Sequence, residues 1–164
     1  MAGLVGGLVA SWTMNRFQDA WVRLSGDGDT QEQGEDKQIP NGSSEQQDDT
    51  TVRAASAISE SFFNHKLTPA EKKIAGPAVH YALGTGVGGL YGAAAEVVPD
   101  ATSGTGLPFG AAFWLVVDET AVPVLGLSKP PAEYPVSTHF YALASHLVYG
   151  LTAELVRRSL RKAL

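Results

Sequence analysis

The chain has no cysteine. That excludes a disulfide framework, thiolate metal sites and cysteine nucleophiles. It has little basic charge: 12 Lys and Arg against 17 Asp and Glu, a net charge of −5. The balance argues against nucleic acid as a partner. No basic region precedes the apolar N-terminus, and Asn15, Arg16 and Asp19 follow it with no convincing cleavage site. The start therefore reads as a retained helix rather than a signal peptide. No GxSxG is present, and no HxxxH or HxxE spacing occurs on any one helix. Nucleophilic catalysis has no motif behind it. A metal site would have to be assembled from His80, His139 and His146 on separate turns and helices. The reading is no enzyme, no metal and no cofactor.

What is present divides into two populations, although the mean hydropathy of the whole is near zero. Residues 25 to 53 are almost entirely polar, whereas 1–14, 74–98, 105–127 and 138–156 are strongly apolar. Each apolar stretch approaches the roughly 20 residues that cross a bilayer. The expectation is all-α: a four-span helical membrane bundle with a disordered first loop. Residues 1–24 form the first transmembrane helix, 25–50 an acidic linker and 51–67 an amphipathic interfacial helix. Residues 68–164 form a three-helix membrane core with a basic C-terminal end. The linker cannot bury enough apolar surface to offset its ordering entropy. Its DGDTQEQGE looks like a calcium loop, but it lacks the closing Glu and the flanking helices of an EF-hand.

The chain is organised around HYALGTGVGGLYGAAAE, residues 80–96. Every fourth residue gives His80, Gly84, Gly88, Gly92 and Glu96, one ridge of a helix. Mid-helix glycines cost about 1 kcal/mol each in water. In lipid, small residues spaced by four let helix backbones approach closely. Gly84, Gly88, Gly92, Gly110 and Gly150 are thus packing candidates. GTGVGGLYG also looks like a dinucleotide loop, but no strand precedes it. The first helix has its own row, Gly3, Gly7, Ser11, Asn15 and Asp19, and Asp19 is placed to pair with Arg23. Thr68-Pro69-Ala70-Glu71 is a capping box with Pro at the first helical position. Pro77 should kink that helix, and Pro123 should open the backbone near Asp118 and Glu119. YGxxAExV occurs twice, at Tyr91–Val98 and Tyr149–Val156, and a weaker match relates Gly3, Gly7 and Asn15 to Gly106, Gly110 and Asp118. Duplication would give two parallel helical hairpins.

Six ionisable side chains fall in the spans: His80, Glu96, Asp118, Glu119, His146 and Glu154. Such residues are costly in lipid and are functional candidates by default. The structural alternative is that Glu96 and Glu154 lie at headgroup level, with Glu154 in a helix-stabilising pair with Arg158. Asp118 and Glu119 point about 100° apart and cannot share one partner.

YGAAAEVVP, PVLGLSKPP and SHLVYGLTAELVRRSLR resemble the YagU-like family of bacterial inner-membrane proteins of uncharacterised function. The resemblance covers residues 80–161 and is most specific over 145–161; the acidic segment has no counterpart. It implies a four-helix protein of the bacterial inner membrane and a contribution to survival in acid. It carries no catalytic residues. Two functions follow as expectations. One is a proton-responsive membrane protein. The other is a structural or partner-binding membrane subunit. The partners expected are the lipid bilayer and a second copy or another membrane protein, with both termini cytoplasmic.

Overall fold

The computed structural model describes residues 1–25 and 50–163; the acidic linker and its calcium-like stretch lie outside the described residues. Among the described residues the fold is all-helical, with no strand. Helix α1 is Ala2–Ser25, α2 is Thr50–Phe63 and α3 is Pro69–Val97. A 3-10 segment, Pro99–Gly106, leads into α4. Helix α4 begins as Leu107–Val116, passes through a π-helical turn at Val117–Ala121 and ends with Val122–Val124. Helix α5 is Val136–Ala163. One helical stretch, Asp100–Val124, is long and apolar enough to cross a membrane by length and composition.

Helix α3 starts where the capping box places it. The Thr68 side chain accepts from the Glu71 N–H, and Glu71 reaches back to the Thr68 N–H at 2.7 Å. Hydrogen bonds from the Thr68 backbone and hydroxyl, joined by His65, hold the Glu71 carboxyl down at about 2. The helix continues through Pro77 rather than ending there. At its far end Gly104 and Gly106 adopt left-handed φ of 70° and 82°, turning the chain into α4. Gly106 also lies against α5, where an added Cβ would stand 2.9 Å from the Glu154 Cβ.

Glycine rows form the helix contacts. Helix α1 packs along both α3 and α5, and α4 packs on α5. A Cβ at Gly92 would lie 2.6 Å from the Gly3 Cα, and one at Gly7 would lie 2.9 Å from the Gly88 Cα. The α1–α3 crossing is therefore backbone on backbone. Gly110 meets the backbone of His146, and Gly150 lies 2.7 Å, measured from an added Cβ, from the Gly110 N. These pairs obey the repeat: Gly3 faces Gly92 as Gly106 faces Gly150, and Gly7 faces Gly88 as Gly110 faces His146. In both hairpins the contacts ascend one helix as they descend the other, so the helices are antiparallel within each hairpin. Asp19 pairs with Arg16 at 3.4 Å, one turn before it, rather than with Arg23.

The core is small and partly polar. Ala10, Met14, Tyr149 and Ala153 form its buried cluster, with Phe109 and Phe113 packed against it. Buried beside them are Ser11, Ser145, His146, Glu154 and Arg157. Large apolar side chains point outward: Trp12 is 53% exposed, Leu90 73%, Val116 61% and Phe140 65%.

Candidate functional site

The six ionisable candidates separate into two groups at opposite ends of the bundle. Glu96 and Glu154 lie where α3 and α5 end. Glu154 is completely buried within the protein. Arg157 donates to both of its oxygens, Nε at 2.7 Å and Nη2 at 2.9 Å, and Arg158 Nε donates as well. The Tyr91 hydroxyl completes the set at 2.9 Å. The charge is thus fully paired, the condition under which a buried carboxylate is tolerable. Arg157 and Arg161 also approach Glu96, at 3.9 and 2.8 Å, and Arg158 Nη2 caps the Thr102 carbonyl at 3.1 Å. This group ties α3, the 3-10 segment and α5 together. It is a structural clasp, and its arginines are occupied by it.

The other four candidates line one cavity. It measures about 510 Å³ and takes His80 from α3, Asp118 and Glu119 from α4, and His146 from α5, together with His139. The π-helical turn presents the two carboxylates. Pro123 has no N–H to bond the Glu119 carbonyl. The Val122 N–H instead reaches Val117, five residues back, and the Thr120 hydroxyl bonds the Leu115 carbonyl at 2.9 Å. Such π-turns interrupt α-helices most often at functional sites.

Each carboxylate meets a different histidine. Asp118 Oδ2 lies 3.6 Å from His146 Nδ1, which donates to the Ala142 carbonyl at 2.9 Å. Glu119 Oε1 lies 2.6 Å from His139 Nδ1. His139 Nε2 faces the Pro131 carbonyl at 3.0 Å, so both its ring nitrogens face acceptors. A neutral imidazole donates from one of these nitrogens, and a protonated one donates from both. His80 Nε2 is buried with no hydrogen-bond partner among the described residues. The Phe113 ring packs edge-on to His146 at 5.0 Å and beside Tyr149 at 5.1 Å. The Tyr149 hydroxyl donates to the Gly84 carbonyl at 2.5 Å, closing the inner end. No group of three or more His, Asp or Glu among the described residues is arranged to hold a metal ion.

Sequence reasoning missed Tyr91 and Arg157 as site members and weighed His139 only as a metal ligand. The repeat carried a signal for the first: each YGxxAExV copy sets a Tyr five residues before its Glu. The Tyr of one copy serves the Glu of the other. The repeat also aligns Asn15 with Asp118 and Tyr81 with His139. Asn15 Nδ2 does lie 3.3 Å from the Tyr81 hydroxyl. One hairpin therefore holds a neutral pair where the other holds titratable ones.

No curated protein and no solved structure matches the chain. A family model does match, over residues 43–155, and it carries the description "Protein of unknown function (DUF1440)". The matched span is more than half of the chain. It takes in every cavity histidine, both cavity carboxylates, and the Tyr91–Glu154 pair. By that match the chain belongs to DUF1440, a family of proteins of unknown function.

Proposed function

We propose that this chain is a multi-pass protein of the bacterial inner membrane. In this reading α1, α3, α4 and α5 cross the bilayer, and the His–carboxylate cavity responds to protons. The observation that carries it is the inverted distribution of side chains. Leu90, Val116 and Phe140 face outward while Ser145, Glu154 and Arg157 face inward. Leaving a large apolar side chain in water forgoes about 1.5–3 kcal/mol; in hydrocarbon it forgoes nothing. Backbone contacts through Gly3, Gly7, Gly88 and Gly92 suit the same solvent. Composition alone selects only Asp100–Val124: glycines dilute the hydropathy of α3, the exposed Arg16 and Asp19 that of α1, and buried polar groups that of α5.

What supports proton response is the His139–Glu119 pair, whose imidazole has an acceptor facing each ring nitrogen, a setting that suits its protonated form. The resemblance to YagU-like proteins, with its link to acid survival, points the same way. No reaction and no cofactor is assigned. The partners of this reading are the bilayer and a second copy or another membrane protein, without nucleic acid. The second reading is a structural subunit whose polar residues only hold helices together; the Glu154 clasp favours it at that end of the bundle.

Infrared difference spectra of the protein in lipid, between about pH 4 and 8, test the choice. A titrating carboxyl band should be present and should vanish in the Asp118→Asn, Glu119→Gln double variant. Spectra identical in wild type and variant would reject proton response in favour of the structural subunit. Proton flux into liposomes, with and without Asp118→Asn, then separates a conduit from a sensor.

A further inference from the structure

The two hairpins of the repeat are not closed alike. Helix α1 packs along α5. The matching partners, α4 and α3, stack Phe109 on Tyr91 at one end, with ring centroids 4.1 Å apart. Toward the other end, α3 contributes Pro77, His80 and Leu83 to the cavity wall, and α4 contributes Phe113, Asp118 and Glu119. The repeat thus leaves a chamber on one side of its axis.

We propose that this chamber binds a hydrophobic organic cation, and that the cation and the protons of the His–carboxylate pairs exclude one another. The proposal rests on the proton-responsive reading above and names what competes with the proton. The volume of about 510 Å³ lies in the range of small-molecule sites. Leu83, Met14 and Val117 supply apolar wall, and the Phe113 and Tyr149 rings line its inner end. The charges set the sign. Helix α4 brings two carboxylates, α5 brings His139 and His146, and α3 brings His80. Helices α1 and α2 bring only neutral polar groups, Asn15, Gln18, Thr50 and Thr51, and the loop brings Lys129, exposed. With His139 and His146 protonated, the two carboxylates are balanced. With both deprotonated, the two carboxylates outweigh Lys129 and the chamber is net negative. A cation with an apolar body restores the balance; an anion is repelled. The buried His80 Nε2 has no hydrogen-bond partner among the described residues.

The test uses the full chain in nanodiscs of uncharged phosphatidylcholine, with tetraphenylphosphonium and tetraphenylborate as probes of one shape and opposite charge. Calorimetry should show tetraphenylphosphonium binding and release of protons into weak buffer. Affinity should weaken about tenfold per pH unit for each proton displaced, since linkage is reciprocal. The Asp118→Asn, Glu119→Gln double variant should lose binding. Leu83→Trp should narrow the chamber and weaken binding at least tenfold while keeping the titrating carboxyl band. Equal binding of the borate, or affinity independent of pH, overturns the proposal. A carboxyl band without tetraphenylphosphonium binding also overturns it and leaves the proton-responsive reading standing. Absence of the band removes both.

Discussion

Glu154 shows how much a single side chain is asked to hold. Four donor contacts from Tyr91, Arg157 and Arg158 converge on its two oxygens. Tyr91→Phe removes one donor and should cost about 1.5–3 kcal/mol, the range for hydrogen bonds to charged groups. Glu154→Ala strands Arg157 beside it and should cost about 3–5 kcal/mol. Thermal denaturation in detergent should rank the two variants in that order; a Tyr91→Phe variant as unstable as Glu154→Ala would mean that the hydroxyl, not the arginines, holds the carboxylate. Glu71 gives a pH dependence of known sign. Its carboxyl is depressed to about 2 in the folded chain from a usual 4.5. The stability it contributes is therefore full above about pH 4.5 and is lost as the pH falls toward 2. Glu71→Gln should flatten that limb of the stability curve measured by circular dichroism. The Glu154–Arg158 spacing and the capping box could be read directly from the sequence, because their partners lie within one helical turn. Tyr91 could not be matched to Glu154, since 63 residues separate them and only the fold brings them together.

At the scale of elements, the glycines of α3 serve different ends. Gly88 is pressed against α1, where an added Cβ would stand 2.7 Å from the Gly7 N. Gly86 is on the same helix with nothing within 4 Å. Gly88→Leu should destabilise the bundle by at least about 1–3 kcal/mol, as overpacking does. Gly86→Ala should stabilise it by up to about 1 kcal/mol through helix propensity. Melting temperatures of the purified variants decide; equal effects at the two positions would place α3 in some other register against α1. The four-residue rows were visible in the sequence because they depend only on helical period. Which row meets which was not, because a stripe of glycines has no complementary chemistry to identify its mate. Pro123 likewise announced a break in α4. The π-turn that results depends on the Val122 and Thr120 bonds, which no local pattern encodes.

The whole molecule has two unlike ends. One gathers the start of α1, Glu96 and the arginines of α5; the other gathers α2, the loop after α4 and the cavity. The basic cluster Arg157, Arg158, Arg161 and Lys162 directly follows an apolar stretch, and positive charge so placed favours the cytoplasm. The competing bases, Arg23, Lys37, Arg53, Lys66, Lys72 and Lys73, lie in or border the first loop of the sequence. The nearer, denser cluster is given the greater weight, so the cavity should face the periplasm. A C-terminal fusion should be active with a cytoplasmic reporter and silent with a periplasmic one; the reverse result would turn the molecule over. Composition could not settle the number of spans, because the glycines of α3 and the buried Glu154 and Arg157 of α5 lower the average by which a span is recognised. The Glu154 clasp has a consequence for synthesis. Its arginines are three and four residues away on the same helix, so the carboxylate is neutralised as soon as α5 coils. On the membrane reading, the segment enters the bilayer with its acid already matched, and the positive charge left over by its two arginines waits for Glu96 on α3. The Tyr91 hydroxyl is then the carboxylate's late contact, a depth gauge that is satisfied only when α5 has come to rest at the right height beside α3.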